Sequence, residues 1–188
     1  MRRPLFHTES FDPVWLRSSL NRNAARALMQ MMAKEIEQKF LVVGDGWRVA
    51  AAGRKELRQF YLASATDRSI RVRIQDGQQA TLTIKFGGAT RVRDEFEYDL
   101  PTSDAAEMQA FAVGNPVVKT RHLVHYGGRL WEVDEFAGAL SGLVMAEVES
   151  DDIVQPSERP SWVGREVTEE AGFYNLSLAL NGLPEGVS

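Results

Sequence analysis

The chain has 188 residues, a net charge of −4 and no cysteine, and 44% of its residues are hydrophobic. This length suits one domain with a sizeable core, and the acidic balance argues against a general nucleic-acid binder, which usually carries a basic excess. Without cysteine, disulfides and thiolate chemistry are excluded, so any metal must be bound by carboxylates or histidine. No apolar run approaches the roughly 18 residues of a transmembrane helix. These features favour a cytoplasmic protein with no membrane partner.

Residues 1–31 differ from the rest of the chain because they are rich in arginine and contain few acids. Their apolar residues could form one face of a helix. Three interpretations stay open: a loosely ordered extension, an organelle-type leader, which would be Arg-rich and amphipathic, or an artefact of start-codon choice with Met32 as the natural start. The sequence therefore predicts an atypical extension, disordered or helical, over 1–31 and one domain over 32–188.

From residue 34 onward the chain is predicted to be mainly β, because short segments rich in Val, Ile, Leu, Phe and Thr alternate with turn signals. The predicted strands span residues 34–43, 60–64, 69–75, 79–86, 91–100, 116–126, 130–136 and 143–150. Residues 50–57 are predicted as a short helix or an irregular stretch. Hairpin turns are predicted at Asp76-Gly77 and Gly127-Gly128.

Two helices are predicted beside the strands. The first is opened by Pro101-Thr102-Ser103-Asp104, with Glu107 three residues after Asp104 as a loose capping box, and continues to about residue 113. The second spans residues 168–180 and ends at Asn181-Gly182. The fold class predicted from these elements is α+β, mainly β.

Charged residues alternate with apolar ones in most of the predicted strands. Successive side chains of a strand point to opposite faces, so the charges of each strand share a face. They are Glu35, Glu37 and Lys39; Arg71 and Arg73; Lys85; Arg91, Arg93, Glu95 and Glu97; Lys119 and Arg121; Glu132 and Asp134; and Glu147 and Glu149. A polar face turned to water explains any one strand. The recurrence in seven strands, with charges of both signs, favours a shared polar cavity.

The acids and bases on these faces suit different parts of one ligand. Four strands carry two acids separated by one residue, which places the carboxylates about 7 Å apart along the strand, where neighbouring pairs could chelate a hard cation. Arginine suits bidentate contact with phosphate, and lysine supplies a point charge. If the sheet closes into a barrel, the cavity would bind a polyanion with its metal, such as a magnesium-bound triphosphate. The apolar face would then point outward, with the two helices covering part of it.

The ordered motifs resemble the CYTH family, also called triphosphate tunnel metalloenzymes. The family signature E-x-E-x-K matches Glu35-Ile36-Glu37-Gln38-Lys39, and the later motifs follow in order: Arg71-Val72-Arg73, Leu82-Thr83-Ile84-Lys85, Glu95-Phe96-Glu97-Tyr98, Lys119-Thr120-Arg121, Leu130-Trp131-Glu132-Val133-Asp134 and Ala146-Glu147-Val148-Glu149. Gly164-Arg165-Glu166-Val167-Thr168 and Tyr174-Asn175 near the end also resemble the family. The resemblance covers residues 32 to about 184. It implies an eight-stranded antiparallel closed barrel, a tunnel with a polar interior, flanked by a few helices.

The resemblance also implies a metal-dependent triphosphatase that hydrolyses the terminal phosphoanhydride, most often of inorganic tripolyphosphate. By this resemblance Glu35, Glu37, Glu147 and Glu149 bind Mg²⁺ or Mn²⁺, while Glu132 and Asp134 orient bases or contact metal through water. The phosphate chain would be bound by Arg71, Arg73, Lys85, Lys119 and Arg121, with Arg93 as a further candidate.

Two residues are candidates for catalysis. Lys39 could be a general base, since a lysine crowded by cations and poorly solvated has a lowered pKa; simple phosphate contact is the alternative. Tyr61 resembles the tyrosine that partners this lysine in related triphosphatases, and its alternative is a core tyrosine.

Other functions stay open at this point. Adenylate cyclisation needs an adenine pocket, which the sequence does not identify. A non-catalytic polyphosphate or nucleotide module would be favoured by loss of Lys39 or of a metal carboxylate, but all are present. A plain β-sheet interaction module is the remaining alternative. An apolar outer face of the sheet could support a homodimer.

Overall fold

Nine antiparallel strands form one sheet in the computed structural model, which describes residues 36–87 and 94–187. The strands are β1 (Ile36–Val42), β2 (Ala51–Ala65), β3 (Arg68–Gln75), β4 (Gln79–Phe86), β5 (Asp94–Leu100), β6 (Val113–Tyr126), β7 (Arg129–Ala137), β8 (Val144–Ser150) and β9 (Val163–Glu166). Two α-helices accompany them, α1 (Thr102–Met108) and α2 (Asn175–Asn181). The predicted α+β, mainly β class is confirmed. The predicted extension at 1–31, Glu35 and Arg93 lie outside the described residues.

The strands follow one another in the order β5-β4-β3-β2-β6-β7-β8-β1-β9. The described residues thus contain nine strands rather than the eight predicted, and they show no pairing between the end strands β5 and β9, so closure into a barrel is not confirmed. The additional strand, β9, has four residues and pairs with β1. Gly164 permits this close approach, because a Cβ there would crowd the side chain of Val43 and the carbonyl oxygen of Leu41.

Strand β2 overturns the prediction of a helix or irregular stretch over residues 50–57. A 3₁₀ turn covers only Arg48–Ala50, and β2 then runs for 15 residues from Ala51. Its first half pairs with β6, from Ala51 opposite Val124 to Leu57 opposite Lys119. Alanine and glycine have weak intrinsic preference for strands, so the pairing with β6 decides the conformation here.

The two predicted hairpin turns are confirmed. Gly127 and Gly128 both have positive φ, 60° and 75°, in a two-residue loop between Tyr126 and Arg129. Such a turn matches the twist of the flanking strands, and two consecutive glycines adopt it without strain. Asp76 and Gly77 have φ of 51° and 65° between β3 and β4.

Both helices are shorter than predicted. Helix α1 begins at Thr102 after Pro101, with no side-chain cap, so the capping box expected at Asp104 is wrong. Helix α2 begins at Asn175 rather than at residue 168, because Thr168 instead accepts a hydrogen bond from the backbone N–H of Lys39 at 3.0 Å. Within the described residues, no helix has the length and apolar character needed to cross a membrane.

The two faces of the sheet are covered differently. We call the face that carries Lys39, Lys119 and Asp134 the inner face, and the opposite one the outer face. On the outer face, one cluster places Phe60 and Val72 under α1, and another surrounds Trp131. The prediction that both helices cover the outer, apolar face is wrong for α2, which packs on the inner face.

Side chains from several strands come together on the inner face. One apolar cluster joins Tyr61 of β2, Val117 of β6, Phe136 of β7 and Met145 of β8, with Leu178 of α2. Arg73 of β3 is also within electrostatic reach of Glu147 of β8, although β2, β6 and β7 lie between them in the sheet. Strands lie about 4.8 Å apart, so this reach indicates that the sheet bends. This bending brings the charged side chains of the same face together as well.

Candidate active site

A network of ion pairs occupies the inner face beside the apolar cluster. Arg121 on β6 lies at its centre and donates to Asp134 through Nε and Nη2, both at 2.7 Å, and to Glu147 at 2.7 Å. Arg121 also pairs with Glu132, and Lys119 pairs with Asp134. The shared partners show that β6, β7 and β8 contribute their charges to one site, as the strand alternation predicted.

Lys39 connects β1 to this network. Its Nζ donates to Glu147 at 2.8 Å and to Glu37 at 2.5 Å. The contact with Glu147 follows from the strand register, which places Lys39 directly opposite Glu147 in the β1–β8 pair. Lys39, Glu37 and Glu147 are therefore brought together, as expected of residues that act at one site.

Much of the network is removed from solvent. The side chains of Lys119 and Asp134 are 0% and 1% exposed, and those of Arg121 and Glu147 are 11% exposed each. Removing a charge from water costs several kcal/mol per ion even after relaxation. A water-facing polar sheet would not incur this cost, so the burial argues for a site.

The buried charges shift one another's pKa. Burial alone would raise the pKa of Glu147, but Lys119, Lys39 and Arg121 hold it well below its usual range. Burial lowers the pKa of Lys119, with Arg121 adding to the effect and Asp134 opposing it. Glu147 is therefore a carboxylate at neutral pH.

The pKa of Lys39 is shifted in the direction opposite to the one expected from the sequence. Crowding by cations was expected to lower it, and burial does act in that direction. Its direct contacts, however, are the carboxylates of Glu147 and Glu37, which outweigh burial and raise the pKa of Lys39 above its ordinary value. The expected lowering is therefore wrong for the protein alone, because the nearest charges to this lysine are negative.

Arg71 and Arg73 extend the positive charge of the inner face onto β3. Arg71 donates to the hydroxyl of Thr83 at 3.1 Å, and Arg73 donates through Nε and Nη2 to the carbonyl oxygen of Gln59 at 3.3 and 3.1 Å. Burial, together with Arg71 and Arg121, lowers the pKa of Arg73 to about 10 despite Asp134 and Glu147. Arg73 thus stays a cation at neutral pH and lies within electrostatic reach of the network.

The remaining candidates lie at the edges of this arrangement. Lys85 pairs with Glu95 at 2.8 Å, and its side chain is 32% exposed. Tyr61 is buried in the apolar cluster, and burial raises its pKa although Arg71 and Arg73 oppose the shift. Tyr61 therefore lies where the apolar cluster meets the arginines, and it directly faces Arg71 in the β2–β3 register.

The carboxylates suit a hard cation in donor type. Glu37 and Glu149 are register partners across β1 and β8, and Glu147 lies two residues from Glu149 on the same face. Oxygen donors of this kind are those that Mg²⁺ and Mn²⁺ prefer. In the described part of the chain, no three acidic or histidine side chains converge as a metal cluster. Glu35, the fourth expected ligand, lies outside it.

Sequence reasoning assigned no role to two polar residues beside the network: Gln59 was not singled out, and Asn175 was named only within a family motif. Gln59 is fully buried and bonds Arg73, and Asn175 at the start of α2 accepts a 3.5 Å bond from Lys119. The alternation contained a signal for Gln59, which lies two residues before Tyr61 on one strand and therefore shares its face. Asn175 is placed by the packing of α2, for which the strand pattern holds no signal.

Comparisons with known proteins agree with this geometry. The CYTH domain family matches residues 33–180. The chain is 39% identical over 151 residues to an inorganic triphosphatase of Acetivibrio thermocellus, covering 80% of this chain and 96% of that protein. It is 39% identical over 153 residues to an inorganic triphosphatase of Nitrosomonas europaea, covering 78% of this chain and 97% of that protein.

A solved structure shares the fold. The crystal structure of an inorganic triphosphatase superposes with a TM-score of 0.63 at 33% identity, covering 81% of this chain and 99% of that one. The resemblance inferred from the ordered motifs is thereby confirmed, and the chain belongs to the CYTH domain family.

Proposed function

We propose that the protein is a divalent-metal-dependent triphosphatase that converts inorganic tripolyphosphate to pyrophosphate and phosphate. The observation that carries the proposal is the buried charge network, in which cations from β1, β3 and β6 surround carboxylates from β7 and β8. Two relatives that are 39% identical over most of the chain bear the name inorganic triphosphatase. A linear polyanion with a bound cation matches this arrangement of both charge signs.

The cations would bind the phosphate chain. Phosphoryl transfer passes through a loose, charge-spread transition state, so catalysis is mainly positioning and electrostatic stabilisation. The proposed phosphate ligands are Arg71, Arg73, Lys85, Arg93, Lys119 and Arg121. Asp134 and Glu132 hold Arg121 in place, and such fixed cations lose little free energy to reorganisation when the substrate binds.

A divalent ion would be held by Glu35, Glu37, Glu147 and Glu149, and when bound it neutralises phosphate charge and favours ionisation of water. Mg²⁺ and Mn²⁺ both match the oxygen donors. Since Lys39 and Arg121 bond two of these carboxylates in the protein alone, they hold the acids in position on the inner face. We further propose that the curvature of the sheet continues into a closed tunnel around this site and that the protein acts in the cytoplasm.

Lys39 would act at the terminal phosphoryl group with Tyr61 nearby. Water supplies the new P–O bond, the bridging P–O bond breaks, and pyrophosphate leaves. Lys39 is a cation in the protein alone, because its carboxylate partners raise its pKa. It either contacts the phosphoryl oxygens in that form or, once those carboxylates bind another cation, takes the proton of the attacking water. The two roles differ in whether an arginine can replace it, because arginine keeps the charge but is not deprotonated in proteins.

The test is phosphate release from tripolyphosphate, ATP and thiamine triphosphate, each with Mg²⁺, with Mn²⁺ and with chelator. We expect metal-dependent release that is at least about tenfold faster from tripolyphosphate than from ATP, and no release with chelator. No release from any of the three would contradict the proposal. Formation of cyclic AMP from ATP would then indicate the alternative cyclase reaction.

Lys39 variants provide the control for this test. Lys39→Met should lower kcat by about 100-fold or more while metal affinity stays nearly unchanged. Loss of turnover in Lys39→Arg as well would indicate a base, whereas substantial turnover in Lys39→Arg would indicate phosphate contact. Normal turnover of Lys39→Met would remove Lys39 from the mechanism.

A further inference from the structure

The cations of the inner face fall into two groups by their partners. Lys39, Lys119 and Arg121 each contact at least one carboxylate. Arg71 and Arg73, by contrast, contact neutral oxygens, and neither forms an ion pair within the described residues. The charge on the β3 arginines is therefore less compensated by direct contacts than the charge on the other three.

Gln59 is the neutral partner of Arg73. It lies directly opposite Arg73 in the β2–β3 register, and its carbonyl oxygen accepts from both Nε and Nη2 of the guanidinium. Gln59 is fully buried, so this contact is fixed by packing. Strand β2 also shifts register against β6 between Gln59 and Tyr61, and such irregularities are frequent beside active sites, where they re-aim side chains.

Glutamine is a poor choice at this position for stability alone. Among the described residues, its buried Nε2 has no hydrogen-bond partner, and neither has the buried Nε of Arg71. A buried donor without an acceptor costs free energy. Glutamate has the same shape and would form an ion pair with Arg73, with no N–H left unsatisfied. The amide is therefore explained better by a need to leave the positive charge of Arg73 uncompensated.

We propose that Gln59 is a positioning residue for the phosphate chain, which orients the guanidinium of Arg73 through two hydrogen bonds without neutralising its charge. A carboxylate at this position would hold Arg73 equally well but would compete with phosphate for it. This inference rests on the proposed function, since it assigns Arg73 to the binding of the triphosphate.

The test compares Gln59→Glu and Gln59→Met with the wild-type protein. We expect Gln59→Glu to keep or raise the melting temperature, because it replaces an unsatisfied donor with an ion pair, and to raise KM for tripolyphosphate at least about tenfold with a much smaller change in kcat. Gln59→Met, which loses the orienting oxygen, should also raise KM. A purely structural role would instead change the melting temperature and leave KM unaltered.

Gln109 provides a matched control on the outside of the sheet. Its carbonyl oxygen accepts from Nε of Arg58 at 2.6 Å in an exposed position. Gln109→Glu makes the same chemical exchange away from the inner face, so KM should stay within about twofold of the wild type. An equal rise of KM in Gln109→Glu would show a general charge effect and overturn the proposal.

A second measurement separates this inference from the proposed function. Calorimetric titration of tripolyphosphate with chelator present measures binding without turnover or metal. If the wild type releases no phosphate, the proposed function fails, and Gln59 is judged by this Kd alone, which should be about tenfold weaker in Gln59→Glu. Values of KM and Kd within twofold of the wild type in a folded Gln59→Glu protein would overturn the assignment of Gln59.

Discussion

The inner face of the sheet has two regions that the same strands build from opposite chemistry. In the charged region lie the ion pairs around Arg121, and in the apolar region lie Tyr61 and the residues that pack against α2. On each of three neighbouring strands, the charged region and the apolar region are only two residues apart. The residues on either side are Lys119 and Val117 on β6, Asp134 and Phe136 on β7, and Glu147 and Met145 on β8.

The same strands therefore carry residues that stabilise the fold and residues whose burial is explained by function. Burial of apolar surface contributes roughly 25 cal/mol per Å², so the apolar region and α2 stabilise the fold. Burial of charge costs several kcal/mol per ion, and pairing often only offsets it. The burial of the charged region is therefore explained better by the proposed binding of substrate than by stability, whereas the apolar region holds α2 against the same face.

A large effect on stability is expected in the apolar region. Leu178 of α2 is 1% exposed within the cluster, so Leu178→Ala should lower the free energy of unfolding by about 2–5 kcal/mol. Because Leu178 lies in the apolar cluster and not in the ion-pair network, KM for tripolyphosphate should stay within about threefold of the wild type. Urea denaturation and steady-state phosphate release measure the two quantities.

The neighbouring Leu180 is the control for that prediction. It is 41% exposed on the same helix, so Leu180→Ala should cost less than about 1 kcal/mol. A tenfold rise of KM in folded Leu178→Ala, with its stability unchanged, would show that the two regions are not separable.

A smaller effect on the free energy of unfolding is expected for substitution of Glu166. This residue joins β9 to the sheet and lies outside both regions. It accepts hydrogen bonds from Gln38 at 3.2 Å, Thr168 at 3.0 Å and Arg159 at 2.9 Å. Burial opposes the shift, but these partners lower the pKa of Glu166 below its usual 4.5. Since the carboxylate is 37% exposed, solvent screening limits its contribution to less than about 1 kcal/mol.

The pH dependence of this contribution has a definite sign. A carboxylate with a lowered folded-state pKa stabilises the protein above its unfolded pKa, and the stabilisation is lost as the pH falls through the folded value. Glu166→Gln should therefore be slightly less stable than the wild type at pH 7, and the difference should shrink below pH 4.5. Urea denaturation from pH 7 to 3 measures this, and a difference that grows toward low pH would contradict the assignment.

The sequence was sufficient to predict which residues share a face, because strand alternation depends only on local geometry. Strand β4 has the predicted bounds, and the pairs Lys119 with Asp134 and Lys39 with Glu147 fall on one face as expected. The family, too, followed from the order of the charged motifs. These features lie in neighbouring residues or in residue order, which a single sequence displays directly.

Features that depend on strand pairing were predicted wrongly or missed. The pKa of Lys39 depends on β1 lying beside β8, so that Glu147, 108 residues away, contacts its Nζ together with Glu37. The first half of β2 is a strand because β6 pairs with it. The apolar region exists because α2 returns to the inner face, and alternation within a strand contains no information about which face a distant helix covers.

The most direct test of the central claim, that the charged region is kept for phosphate binding, replaces its most buried ion pair with apolar residues. We expect Asp134→Leu alone to lower the free energy of unfolding by about 3–5 kcal/mol, because it leaves Lys119 unpaired and removes two hydrogen bonds from Arg121. Lys119→Met with Asp134→Leu should recover part of that loss, since no unpaired lysine is left and Arg121 keeps Glu132 and Glu147. Measured by urea denaturation and by calorimetry with tripolyphosphate, the double variant should be more stable than Asp134→Leu alone yet bind at least about tenfold more weakly than the wild type. A double variant that binds tripolyphosphate like the wild type, or that is as unstable as Asp134→Leu alone, would contradict the account.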